Sequence, residues 1–153
     1  MKLYTAASIL LPVFALGAVQ DPVSGSFKGN GKETRLLFAT ALKGEPLAGK
    51  ATTVIVFTEK DHSKTKRPDI SAGFGEYGGA LVITVQDDGE VVGCEVAHPA
   101  MKRQGFSSIG KISIKGFKAG AALLEGTLTT NGEVVTFGEP WEVQLNFRVP
   151  RSK

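Results

Sequence analysis

The stretch Val91-Val92-Gly93-Cys94-Glu95-Val96-Ala97-His98-Pro99-Ala100-Met101 holds the single cysteine of the chain, one of its two histidines, and its one methionine beyond the initiator. Thiolate, imidazole and thioether together suit a soft transition metal. A cysteine with a histidine is also the minimal pair for nucleophilic catalysis. Either chemistry needs the groups to converge. If 91–98 is an extended strand, Val92, Cys94, Val96 and His98 share one face, while Glu95 and Ala97 point the other way. At about 3.3 Å per residue, the α-carbons of Cys94 and His98 then lie roughly 13 Å apart. Bonds from a metal to sulfur and nitrogen are only about 2.0–2.3 Å long. A shared site therefore demands that the chain curl back after Cys94.

The extended reading needs no such geometry. It makes Val92, Cys94 and Val96 core residues, buried filling being the commonest fate of a free cysteine. His98-Pro99 ends the strand, because proline cannot continue a central ladder and restrains the residue before it. Met101, Phe106 and Ile109 then cover the end of the core, Lys102, Arg103 and Gln104 face water, and His98 is a partly exposed loop histidine. A cysteine enzyme would need a base within hydrogen-bond reach and a third, orienting group. Along a strand His98 is too distant, and the sequence offers no G-x-S-x-G elbow or H-E-x-x-H helix.

The run Cys94-Glu95-Val96-Ala97-His98-Pro99-Ala100-Met101 resembles the ligand loop of cupredoxins, in which a Cys, a His and an axial Met follow one another on a tight loop and a distant His completes a copper site. The resemblance covers eight residues. It implies copper electron transfer with His62, Cys94, His98 and Met101 as ligands. The run departs from the family pattern in its three residues between Cys94 and His98, in the charged loop that carries His62, and in the fifty or so residues that follow Met101.

The elements that must position these groups read as strands. Alternating residues, β-branched runs and turn signals recur at short spacing, the signature of a sandwich or barrel. In 141–149, Trp, Val, Leu, Phe and Val take the odd positions and polar residues the even ones, so one face is dry and one wet. Residues 125–130 and 133–137 flank Asn131-Gly132, the dipeptide favoured by a two-residue hairpin turn. Further hairpins are expected for 81–86 with 90–96 and for 111–117 with 121–124. Strands are expected at 35–42 and Thr52–Thr58, and a short one at 24–28 before Asn30-Gly31. The pattern contains no convincing helix. The fold expected is an all-β antiparallel β-sandwich, immunoglobulin-like in general architecture, with eight or nine strands and a frayed 151–153 tail.

Two longer loops, 59–79 and 98–110, are the expected ligand contacts, since functional groups concentrate on loops held by a rigid sheet. The first carries His62, Lys64, Lys66 and Arg67, a local cluster suited to an anionic ligand. It also carries Phe74 and Tyr77, which could form a platform for a sugar or a peptide. The second contributes Lys102 and Arg103. Gly73-Phe74-Gly75-Glu76-Tyr77-Gly78 matches G-x-G-x-x-G only formally, because a dinucleotide fingerprint opens a helix and a strand follows here.

Residues 1–18 have the form of a signal peptide: Met1-Lys2, an apolar stretch and small residues at the expected cleavage site. The stretch is too short for a membrane span. Its removal leaves 19–153 as one domain, without membrane insertion, in a secreted or periplasmic location. Loss of Lys2 takes the basic count from 18 to 17 against 15 acidic residues. The resulting formal charge of +2 lacks the footprint of a nucleic-acid binder. The functional expectation is a binding or accessory module for a protein, glycan or small-molecule partner, without a cofactor. Copper electron transfer and cysteine catalysis are the alternatives.

Overall fold

The computed structural model describes residues 21–151; the expected signal peptide and the last two residues lie outside them. Eleven strands and one short helix follow in order: β1 (Val23–Gly29), β2 (Lys32–Thr34), β3 (Phe38–Lys43), β4 (Thr52–Thr58), α1 (Pro68–Gly73), β5 (Ala80–Gln86), β6 (Val91–Ala97), β7 (Phe106–Ser107), β8 (Ser113–Ala119), β9 (Leu123–Thr129), β10 (Val134–Thr136) and β11 (Glu139–Pro150). They form the two packed antiparallel sheets expected, with more strands than the eight or nine read from the sequence. Sheet A runs β2-β1-β11-β9-β8, with β10 also paired to β11, and sheet B is a meander, β3-β4-β5-β6-β7.

The alternation of 141–149 is realised residue by residue. In β11 the odd positions are buried and Gln144, Asn146 and Arg148 are exposed, and the strand lies between β1 and β9 in the middle of sheet A. Phe27, Leu124, Leu128, Trp141 and Leu145 from sheet A meet Ile55, Phe57, Leu81, Ile83, Cys94 and Val96 from sheet B in one core. Sheet B is also covered on its outer face, where Val56, Val82, Ala80 and Ala97 pack with Ala72 of α1 and Tyr77. This second layer explains the near-continuous apolar runs of β4 and β5: strands buried on both faces cannot alternate.

The cover is segment 59–79, expected as an open loop. It contains α1, which starts with Pro68, whose fixed φ suits a first turn, and Asp69 beside the helix N-terminus. Six residues are too few to display a helical period, so the sequence carries no helix signal there. Segment 98–110 contains β7, which pairs with β6.

The hairpin expected at Asn131-Gly132 forms elsewhere. Both residues have positive φ, but β9 is already paired on its two sides by β11 and β8. β10 instead turns back on β11 through Phe137-Gly138, also at positive φ. The expected strands 121–124 and 125–130 are one strand, β9. Of the expected strand 35–42 only 38–42 is strand, as part of β3, and the unexpected β2 precedes it. Arg151 is not frayed: it bridges in parallel to Ala41, and its guanidinium is 2.9 Å from the Asp87 carboxylate.

Candidate functional site

The stretch 91–98 stays extended. Cys94 pairs with Ile83 across β5 and is 2% exposed, inside the core between the sheets. Burial, with the Glu95 charge second, pushes its thiol up to about 12. It is therefore protonated at neutral pH and poor as a nucleophile. A bulge between Thr84 and Val85 pairs Val85 with Val91 and Thr84 with Gly93, leaving Val92 unpaired. The extra residue changes the alternation, so Val91 packs on the core where Val92 was expected.

His98 is buried, 2% exposed, and not the partly exposed histidine expected. Its ring stands edge-on to Phe27 at 4.9 Å and lies so close to Gly29 that a Cβ there would be 2.6 Å from His98 Cγ. The Ala100 N–H donates to Nδ1 at 3.1 Å. The neutral ring thus carries its proton on Nε2, which makes no well-formed hydrogen bond and has the carbonyls of Lys32 and Phe27 as nearby acceptors. Burial lowers the His98 pKa, against the Glu59 charge and the carbonyls of Lys32 and Phe27. Met101 joins the core and Phe106 is buried, whereas Ile109, expected to cover the core, is 59% exposed.

His62 sits on the other face of sheet B from Cys94. Its ring is hydrogen-bonded to Thr58, whose side chain shares the outer face with Val54 and Val56, and β5 separates β4 from the strand of Cys94. The four residues of the copper reading are thus divided: Cys94 and Met101 in the main core, His98 against Gly29, and His62 beyond the sheet. Among the described residues no group of three or more His, Cys, Asp or Glu side chains stands where it could hold a metal ion.

The two long segments, by contrast, meet. A Cβ at Gly105 would collide with the Gly73 carbonyl at the end of α1, and one at Gly75 would touch the Gln104 side chain. Phe74, 75% exposed, lies between these glycines. The guanidinium of Arg103, the residue before Gln104, lies 4.8 Å over the ring of Phe137, which is 61% exposed and edge-on to Phe106. The loop is held from below: the Glu139 carboxylate accepts from the N–H of Lys102 (2.7 Å), the N–H of Arg103 (3.2 Å) and Asn30 Nδ2 (3.0 Å). These donors hold the Glu139 pKa below the ordinary carboxylate range. Gln104 Nε2 donates to the carbonyls of His98 and Met101. The loop that carries Arg103, stacked on Phe137, and Gln104, next to Gly75, is thus anchored to the end of α1, where Phe74 is exposed, and to Glu139.

Of the remaining residues read from the sequence, His62 lines a crevice on the outer face of β3. His62 is 5% exposed and edge-on to Tyr77 at 5.9 Å, and the Tyr77 hydroxyl is 2.6 Å from that of Thr65. Lys64 and Lys66 are exposed. Arg67 pairs with Asp69 at 2.7 Å, which lowers the Asp69 pKa. Sequence reasoning passed over Phe137, Gln104 and Phe38. The one signal for Phe137 was the glycine after it, which marks a tight turn. Comparison of the chain with protein-family models, curated proteins and solved structures finds no match.

Proposed function

We propose that the chain is an exported binding module that docks a partner protein through the face formed by Phe74, Gln104, Arg103 and Phe137. Phe137 supports this reading most directly. A bulky residue at φ +52 occupies a conformation that favours glycine, and its ring faces solvent with an arginine stacked on it. Exposed aromatic residues beside an arginine are the residue types that dominate protein interfaces. Lys102 and Arg103 favour a partner that presents carboxylates.

The test uses the mature chain carrying a photo-crosslinker at Gln104, incubated with extracytoplasmic extract of its source. A discrete adduct that disappears in the Phe74→Ala, Phe137→Ala double variant supports the reading. An adduct indifferent to both substitutions, or none, rejects it. Sequencing of the exported protein tests the removal of residues 1–18, with a mature N-terminus expected near Gln20.

A further inference from the structure

The crevice beside β3 has a volume of about 330 Å3 and is lined by Phe38, Thr40, Asp61, His62 and Ser63 among others. Its chemistry follows from one hydrogen-bond chain. The Thr58 hydroxyl donates to the Lys60 carbonyl at 2.7 Å, so toward His62 Nδ1, 2.6 Å away, it can only accept. Nδ1 therefore carries the imidazole proton and Nε2 a bare lone pair. Among the described residues the buried side-chain nitrogens and oxygens without a well-formed hydrogen bond are Gln86 Oε1 and His98 Nε2. His62 Nε2 has no protein partner and is not among them, so it reaches solvent, and the solvent space His62 lines is the crevice. Burial lowers the His62 pKa against the opposing Asp61 charge, which keeps that lone pair available at neutral pH.

Asp61 supplies a second acceptor beside the first. Its Oδ1 takes the Ser63 N–H at 2.8 Å, and this bond, with the Ser63 hydroxyl beside it, holds the carboxylate ionised, with lone pairs to spare for a further donor. Phe38, 37% exposed, provides an apolar wall, and the Thr40 hydroxyl adds a group that both donates and accepts. Two neighbouring acceptors next to an aromatic ring match a ligand with two neighbouring donors and an apolar C–H face. A neutral vicinal diol has this form. An ammonium ligand fits less well, because His62 contributes no negative charge and Lys60 and Lys64 flank the site in sequence. The volume lies at the small end of ligand pockets, roughly 300–1,000 Å3, which suits one ring and not a chain.

We propose that this crevice binds a single neutral sugar residue, one hydroxyl donating to the Asp61 carboxylate and its neighbour to His62 Nε2. The site is separate from the Phe74–Phe137 face and does not depend on the protein-docking reading. The test titrates the mature chain with the methyl glycosides of mannose, galactose, glucose and N-acetylglucosamine, and separately with methylammonium, following the His62 imidazole resonances by NMR. At least one glycoside is expected to bind saturably. Asp61→Asn, an exposed substitution that keeps Oδ1 for Ser63, is expected to weaken binding about tenfold. His62→Ala is expected to abolish it, and the Phe74→Ala, Phe137→Ala variant to leave it unchanged. The proposal is overturned if no glycoside moves His62, if only methylammonium does, or if Asp61→Asn binds as tightly as the parent.

Discussion

Cys94 and the two histidines carry most of the reactive chemistry of the chain, and burial sets the behaviour of all three. With its thiol pushed up to about 12 inside the core, Cys94 is expected to react with a neutral thiol reagent orders of magnitude more slowly in the native protein than in urea. Comparable rates in both states would contradict its placement. For His62 and His98 the folded-state pKa lies below the ordinary value of about 6.5. The unfolded chain therefore binds more protons around that pH. Stability is full above about pH 6.5 and is lost as pH falls through it. The depressed carboxylates Asp61, Asp69, Asp88 and Glu139 act in a separate window, their contribution being lost only below the ordinary carboxylate range of about 4. A thermal melt should shift down between pH 7.5 and 5 in the parent, and by less in a His98→Gln variant that remains folded. Equal shifts in both would leave His98 without a part in the pH dependence.

At the scale of elements, the junction of β1 with the end of β6 depends on one missing side chain. The His98 ring occupies the space a Cβ of Gly29 would need, so Gly29→Ala should cost about 1–3 kcal/mol by overpacking. Combined with His98→Ala it should cost less than the sum, a coupling that a double-mutant cycle measures directly. Sheet edges are protected by other means. β8 carries Lys115 and Lys118 around a bulge, with Gly116 at positive φ, features that discourage strand addition. On sheet B, Arg151 bridges to Ala41 of the edge strand β3. Legibility in the sequence followed burial. β11 was readable position by position because one face is wet, and Thr52–Thr58 because its ends are marked by loops. Segment 59–79 was opaque, because a polar letter such as His62 is bonded inward to Thr58, and a helix of six residues leaves no period. The hairpin at Phe137 was misplaced because local turn chemistry at Asn131-Gly132 was overruled by competition for the edge of β9.

At the scale of the molecule, the second core on the outer face of sheet B makes half of the structure three layers thick. The face with Phe74 and the crevice with His62 are both built on that outer layer, at opposite edges of the sheet. Neither could be placed from the sequence, because each joins residues from distant segments: Arg103 with Phe137, Phe38 with His62. The pairing of β1 with β11 brings together Val23 and Phe147, Gly29 and Trp141, partners more than a hundred residues apart. Sheet B needs only 38–107. Contacts of such different range imply an order of events. During refolding, pulse-labelled amides of β4 to β6 should gain protection before those of β1, and earlier protection of β1 would exclude that order. During synthesis, residues 23–29 have no partner strand in β11 until 141–147 have left the ribosome. If residues 1–18 are the signal proposed, that signal is followed throughout translation by a segment that cannot yet complete its sheet, the state in which a chain can still be threaded across a membrane.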